Sequence, residues 1–160
     1  MTSTPRLYEG PGFSTMSIAA ILAETAHRRP DAPALHFMGH TIPYGPLWDQ
    51  TRAYAGALRE RGIGPGDRVA VVIPNVPDFV RVYYAVLSLG AVVVPVHLLF
   101  KADEIEYVLR DSGAKLAVIA APVLEEAAVA CARAGVPLTT VLLPEAIAAE
   151  KGIPRLEAEA

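Results

Sequence analysis

Four short runs, residues 68–73, 92–96, 116–120 and 139–143, are rich in β-branched and apolar side chains and alternate with longer segments of helical periodicity. This alternation constrains the fold more than any other feature. Runs such as RVAVVI at 68–73 read as strands covered on both faces, because a strand with one wet face alternates polar and apolar residues. The intervening segments 75–89, 102–111 and 122–134 are each long enough for a helical crossover between parallel neighbours. The expected fold class is therefore α/β, a mainly parallel sheet flanked by helices.

Local signals fix the helix ends. Residues 17–27 place Ile18, Ile21, Leu22 and Thr25 at helical spacing, with Ser17 as the cap and Pro30 as the stop. Residues 34–37 and 41–42 flank Met38-Gly39-His40 as a small hairpin. Residues 44–61 form an amphipathic helix with Leu47, Thr51, Tyr54, Ala55 and Leu58 on one stripe, ended by Gly62. Asn75, with Asp78 three residues on and Pro77 between them, resembles a helix start. The helix that follows, to about Leu89, is apolar nearly all round and is expected to be buried. In 102–111, Ile105, Val108 and Leu109 face inward and Ser112-Gly113 closes the helix. Three regions follow: an N-terminal arm at 1–16, the α/β unit at 17–145, and a tail at 146–160. The tail alternates Ala and Glu without a core stripe and leads toward regions beyond this sequence.

Composition removes whole classes of function. With 52% hydrophobic and 19% charged residues, the 160-residue chain is too apolar for disorder and long enough for one core. Fourteen Lys and Arg against 17 Asp and Glu, net charge -3, leave no basic footprint for nucleic acid or anionic lipid. The lone Cys131 excludes a disulfide scaffold, and the cytoplasm is the expected compartment. Residues 1–15 carry Arg6 but no apolar core of signal-peptide length. Residues 82–100 are uncharged between Arg81 and Lys101, a length that admits a membrane span. Gly90 and Pro95 divide that stretch and Tyr83, Tyr84, Ser88 and His97 interrupt it. A helix followed by a strand accounts for the same residues without lipid.

Candidate sites are few. Gly62-Ile63-Gly64-Pro65-Gly66 follows a helix and precedes a strand, the reverse of a phosphate loop, and Pro65 removes a donor, so it reads as a connector. His27, His36, His40 and His97 lack the spacing of a metal pair, and no catalytic residue or metal site is expected. His97 stands apart because it follows a strand at its carboxyl end, where open α/β sheets gather ligands. The acidic set Asp103, Glu104 and Glu106 opens a helix, where its charge is favoured, and Glu125 and Glu126 form a second cluster. Cys131 reads as a small buried apolar residue, and Tyr83 and Tyr84 as core aromatics.

Strings carry the reading further. Pro43-Tyr44-Gly45-Pro46-Leu47, then 62–71 (GIGPGDRVAV), then Pro74-Asn75-Val76-Pro77-Asp78-Phe79 resemble the opening of acyl-adenylate-forming, AMP-binding enzymes. Residues 87–96 (LSLGAVVVPV) resemble that superfamily's second core motif, and 101–118 continue in register. The spacing is most like that of fatty-acid or aromatic-acid coenzyme A (CoA) ligases. The resemblance implies the N-terminal subdomain of an acyl-CoA synthetase. Such an enzyme activates a carboxylic acid, here a fatty acid by expectation, with ATP and Mg2+ and transfers it to CoA. It further implies that His97, Leu98 and Leu99 form a CoA-contacting loop, where acetyl-CoA synthetase-like members carry small glycines. The family's phosphate loop, adenine and ribose motifs and C-terminal lysine match nothing in this sequence. The chain is thus expected to be a scaffold fragment without catalysis or bound cofactor of its own, able to form a homodimer through an exposed apolar face. The alternative is a stand-alone, non-catalytic α/β binding or interaction protein.

Overall fold

The computed structural model describes residues 17–160; the arm at 1–16 lies outside the described residues. Helix α1 (Ile18–Arg28) is capped by Ser17, whose Oγ accepts from the Ala19 N–H. A hairpin follows, β1 (Pro33–Phe37) antiparallel to β2 (His40–Pro43), and then the long helix α2 (Tyr44–Glu60). The remainder alternates as expected: β3 (Arg68–Val72), α3 (Pro77–Ser88), β4 (Val92–Pro95), α4 (Ala102–Ser112), β5 (Leu116–Ala120), α5 (Leu124–Ala134), β6 (Leu138–Val141) and α6 (Glu145–Lys151).

These four strands form a parallel sheet in the order β4-β3-β5-β6. Alternation along each strand divides the core into two layers. Val69, Val71, Ile73, Leu116 and Val118 point to one face, where Tyr54, Leu58, Val82 and Val86 of α2 and α3 cover them. Ala70, Val72, Ala117 and Ile119 point to the other, against Ile105 and Leu109 of α4 and Ala127 and Ala130 of α5. Gly113 and Gly135 adopt positive φ immediately after α4 and α5, the left-handed stop that a side chain disfavours.

Three local expectations change. In α1 the inward residues are Ala19, Leu22 and Ala26, and the two alanines let the helix sit close to α2 and α3; Ile18 and Ile21 are 55% and 59% exposed. Asn75 is not the cap of α3. Val76 occupies that position without a side-chain bond, and Pro77, which has no N–H to satisfy, starts the helix. That helix buries Asp78, Val82, Ala85 and Val86, while Val80, Tyr83, Tyr84 and Leu87 are only half-buried.

Residues 146–160, although they lack an apolar stripe, dock on the domain. Arg155 forms a parallel bridge to Thr140, the Thr140 N–H and Oγ donate to Pro154 O at 2.9 Å each, and Leu156 is fully buried among the α2–α3 layer. Glu157 Oε1 accepts from the Leu142 N–H, and Arg61 grips Glu159 with two donors. The segment covers the β6 side of the sheet, whereas β4 forms the opposite edge.

Candidate functional site

Chain order and sheet order diverge at β3. From β3 the chain steps outward to β4, then crosses back to β5 on the other side, so the loops leaving β3 and β5 part toward opposite faces. Such a reversal opens a crevice at the carboxyl ends of the strands. Beside it lies a cavity of about 590 Å³ walled by Ile73, Asn75 and Phe79 from the β3–α3 turn and by Pro95 to Leu99 from the end of β4. A smaller hollow of about 200 Å³ shares Asn75 and Phe79 and reaches Leu35 and Phe37 of the hairpin. Depressions of about 630 and 700 Å³ also occur, along residues 145–159 and along the outer side of α2. They lie away from the strand ends, where converging loops place ligand-contacting groups, so the crevice cavity is the better candidate.

His97, Leu98 and Leu99 all lie on that cavity, and each behaves differently. The Leu99 N–H donates to His97 Nδ1 at 3.2 Å, which leaves the ring proton on Nε2 as a donor. The imidazole packs against Phe100 with ring centroids 5.4 Å apart. Leu98 tucks into the α4–α5 layer, and Leu99 is 80% exposed at the rim. The lining is thus chiefly apolar, with His97 and the Asn75 amide as its polar groups. It can hold a ligand and orient a hydrogen-bond acceptor. Among the described residues no set of three His, Cys, Asp or Glu side chains converges as a metal site.

The loop carrying these residues is fastened from below. Glu104 Oε2 accepts from the Lys101 N–H at 2.9 Å, so this member of the acidic set caps the helix start as well as placing negative charge there. Glu126 reaches across from α5: Oε2 accepts from the Ala102 N–H at 2.9 Å and Oε1 pairs with Lys101 Nζ at 3.3 Å. The Ala102 bond, followed by that of Lys101, holds the Glu126 carboxyl below the usual carboxylate range. Asp103 instead pairs with Arg133 at 2.6 Å.

Elsewhere the structure assigns structural roles. The Gly62–Gly66 turn sits at the amino ends of the strands: Asp67 Oδ2 accepts from the Gly64 N–H at 2.9 Å and from Lys115 Nζ at 2.8 Å, and Lys115 also binds Gly62 O. It is a connector. His36 and His40 are exposed hairpin residues, His36 Nδ1 lying 2.9 Å from Thr41 Oγ. Burial pushes the Cys131 thiol up to about 11, the state of an inert core residue.

One polar cluster had no direct sequence signal beyond a tyrosine on a buried stripe, whose hydroxyl needs a partner. Tyr54 OH donates to Asp78 Oδ1 at 2.8 Å, and Arg81 donates to the same oxygen at 3.0 Å, tying α2 to α3. Burial, then the Asp78 charge, raises the Tyr54 phenol far above its ordinary value.

Comparison with known proteins agrees with this architecture. The family model described as AMP-binding enzyme matches residues 22–158. The chain is 38% identical over 96 residues to a long-chain-fatty-acid–CoA ligase of Bacillus subtilis, covering 60% of this chain and 17% of that protein. It is 33% identical over 102 residues to enterobactin synthase component F of Escherichia coli, covering 64% and 8%. A benzoate CoA ligase from Burkholderia xenovorans shares the fold with a TM-score of 0.77 at 22% identity, over 89% of this chain and 28% of that one. The chain therefore spans under a fifth of the length of these two curated relatives.

Proposed function

We propose, from the premise that this chain belongs to the AMP-binding enzyme family, that it forms the N-terminal subdomain of an AMP-forming acyl-CoA synthetase acting on a fatty acid. Such an enzyme joins a carboxylic acid to AMP with release of pyrophosphate, then passes the acyl group to the thiol of CoA, with Mg2+ assisting the first half. The fatty-acid assignment is supported by the similarity to the Bacillus long-chain-fatty-acid–CoA ligase. A cytoplasmic location fits a single cysteine kept as a buried thiol.

Within that enzyme this subdomain is a wall, and the observation that carries the reading is the blocking of its helix N-termini at the carboxyl edge. Phosphoryl transfer needs free N–H donors and positive charge around the phosphates. Pro77 offers no N–H at the start of α3. The first N–H groups at α4 are taken by the carboxylates of Glu104 and Glu126, which would repel a phosphate. Pro122 occupies the 3₁₀ turn before α5, and Glu125 and Glu126 lie in its first turn. These residues do not fit ATP with Mg2+, so residues outside this sequence hold both.

The apolar cavity suits an uncharged portion of a ligand. In this reading His97 Nε2–H, Leu98 and Leu99 contact CoA away from its phosphates. Val92, 46% exposed on the β4 edge, offers apolar surface through which two copies pair, although Pro95 has no N–H for a shared backbone ladder. The test is an assay of the 160-residue chain with ATP, Mg2+, CoA and a fatty acid, together with a CoA titration followed by NMR. No AMP above blank is expected, with shifts at Leu98 and Leu99. Acid-dependent AMP release would overturn the scaffold role, and unmoved Leu98 and Leu99 signals would overturn the CoA loop.

A further inference from the structure

We infer that Glu126 is the positioning residue of the candidate site, setting the conformation of the loop 97–101 from a different helix. The inference rests on the reading of that loop as a ligand contact for its purpose, but not for its geometry. Between β4 and α4 the chain makes a tight turn in which the Phe100 N–H donates to His97 O at 3.2 Å and the Leu99 N–H to His97 Nδ1. The turn's upstream leg is fixed by the sheet, through the Val96 N–H to Val71 O at 3.0 Å. Among the described residues, its downstream leg takes side-chain hydrogen bonds from another element only at Glu126, one oxygen on the Ala102 N–H and the other on Lys101 Nζ, beside the apolar packing of Phe100 and Ala102 on the α4–α5 layer.

Three features set this carboxylate apart from an ordinary surface ion pair. Its bond to a backbone N–H fixes the chain itself, where a bond to a lysine tip does not, because the Lys101 side chain is 76% exposed on a long flexible stem. It is charge-assisted, which roughly doubles the strength of a neutral bond. It also comes from the first turn of α5, which starts just after the β5 end, so it ties the β4 loop to the strand on the far side of the crevice. Glu104 caps only its own helix and makes no such cross-tie. Movement of α5 at the crevice thus reaches Leu99 and His97 through this polar tie as well as through the packing of Leu98 and Phe100.

The experiment is NMR on the 160-residue chain and three variants, reading amide exchange at Ala102 and Leu99 and the methyl signals of Leu98 and Leu99. Glu126→Ala is expected to speed exchange at both amides about tenfold, the scale of losing a charge-assisted bond, and to shift both leucine methyls. Core amides such as Ala117, bonded to Pro137 O, should keep their rates. Glu126→Gln retains an acceptor for Ala102 and should stay within about threefold of the parent, and Lys101→Ala should leave Leu99 unmoved. Faster exchange confined to Ala102, with Leu99 and the methyls unchanged, overturns the inference and reduces Glu126 to a helix cap. Failure of the CoA reading appears separately, as an absence of CoA-induced shifts in the parent chain.

Discussion

Replacing Leu156 by alanine tests whether residues 152–159 belong to the cooperative unit. Leu156 is fully buried in a short 3₁₀ turn (Leu156–Ala158), set in the layer formed by α2 and α3. Removing three carbons from a buried leucine forfeits about 2.4 kcal/mol of transfer free energy at ~0.8 kcal/mol per methylene. An unrelaxed cavity adds up to about 2 kcal/mol more. A segment near the chain end can settle into the space, so the total should lie near the lower end, about 2.5–3 kcal/mol. Urea unfolding followed by circular dichroism measures it, and an unchanged m-value would show that the segment still unfolds with the rest. A loss below about 0.5 kcal/mol would refute the reasoning, since that is the range of ordinary surface changes. A fall in m would mean that the variant segment detaches before global unfolding.

Two further perturbations follow from local geometry. Met38 and Gly39 both have positive φ in the hairpin turn, 47° and 80°, the pattern of a type I′ turn that favours Asn-Gly, and Met38 is 84% exposed. Met38→Asn should therefore stabilise the chain by about 0.5–1 kcal/mol, read as a higher urea midpoint; a lower midpoint would contradict the turn assignment. The Lys115 bond, then that of the Gly64 N–H, holds the Asp67 carboxyl below its ordinary 3.8. A carboxyl lowered on folding stabilises the folded state above its unfolded pKa, and that contribution disappears as pH falls through the folded value. The urea midpoint of the parent should therefore drop more steeply below pH 4 than that of Lys115→Ala; parallel curves would argue that the bond is absent in solution.

The sheet was legible because its strands are buried on both faces and so form continuous apolar runs, and because Gly113 marks a helix stop by a backbone requirement. The crevice was legible through His97, which follows a strand. What escaped was set by partners distant in sequence. Nothing in a helical wheel separates Ile18 and Ile21 from Leu22; the closeness of α1 to α2 and α3 selects Ala19 and Ala26 instead. Leu156 is a single apolar residue in a 3₁₀ turn and makes no period to detect. Glu126 reads as one of a pair of surface carboxylates until the fold brings it to the Ala102 N–H. The Asn75 signal was genuine in composition, yet Pro77 at the helix start made a side-chain cap unnecessary.

The position of β3 has a consequence for how the chain is made. Val69 pairs with Val93 on one side and with Leu116 on the other, so the innermost pairings of the sheet wait on residues synthesised much later. At roughly 5–20 residues per second, the stretch from Val69 to Leu116 takes a ribosome several seconds to complete. During that interval an apolar strand has at most one of its two neighbours.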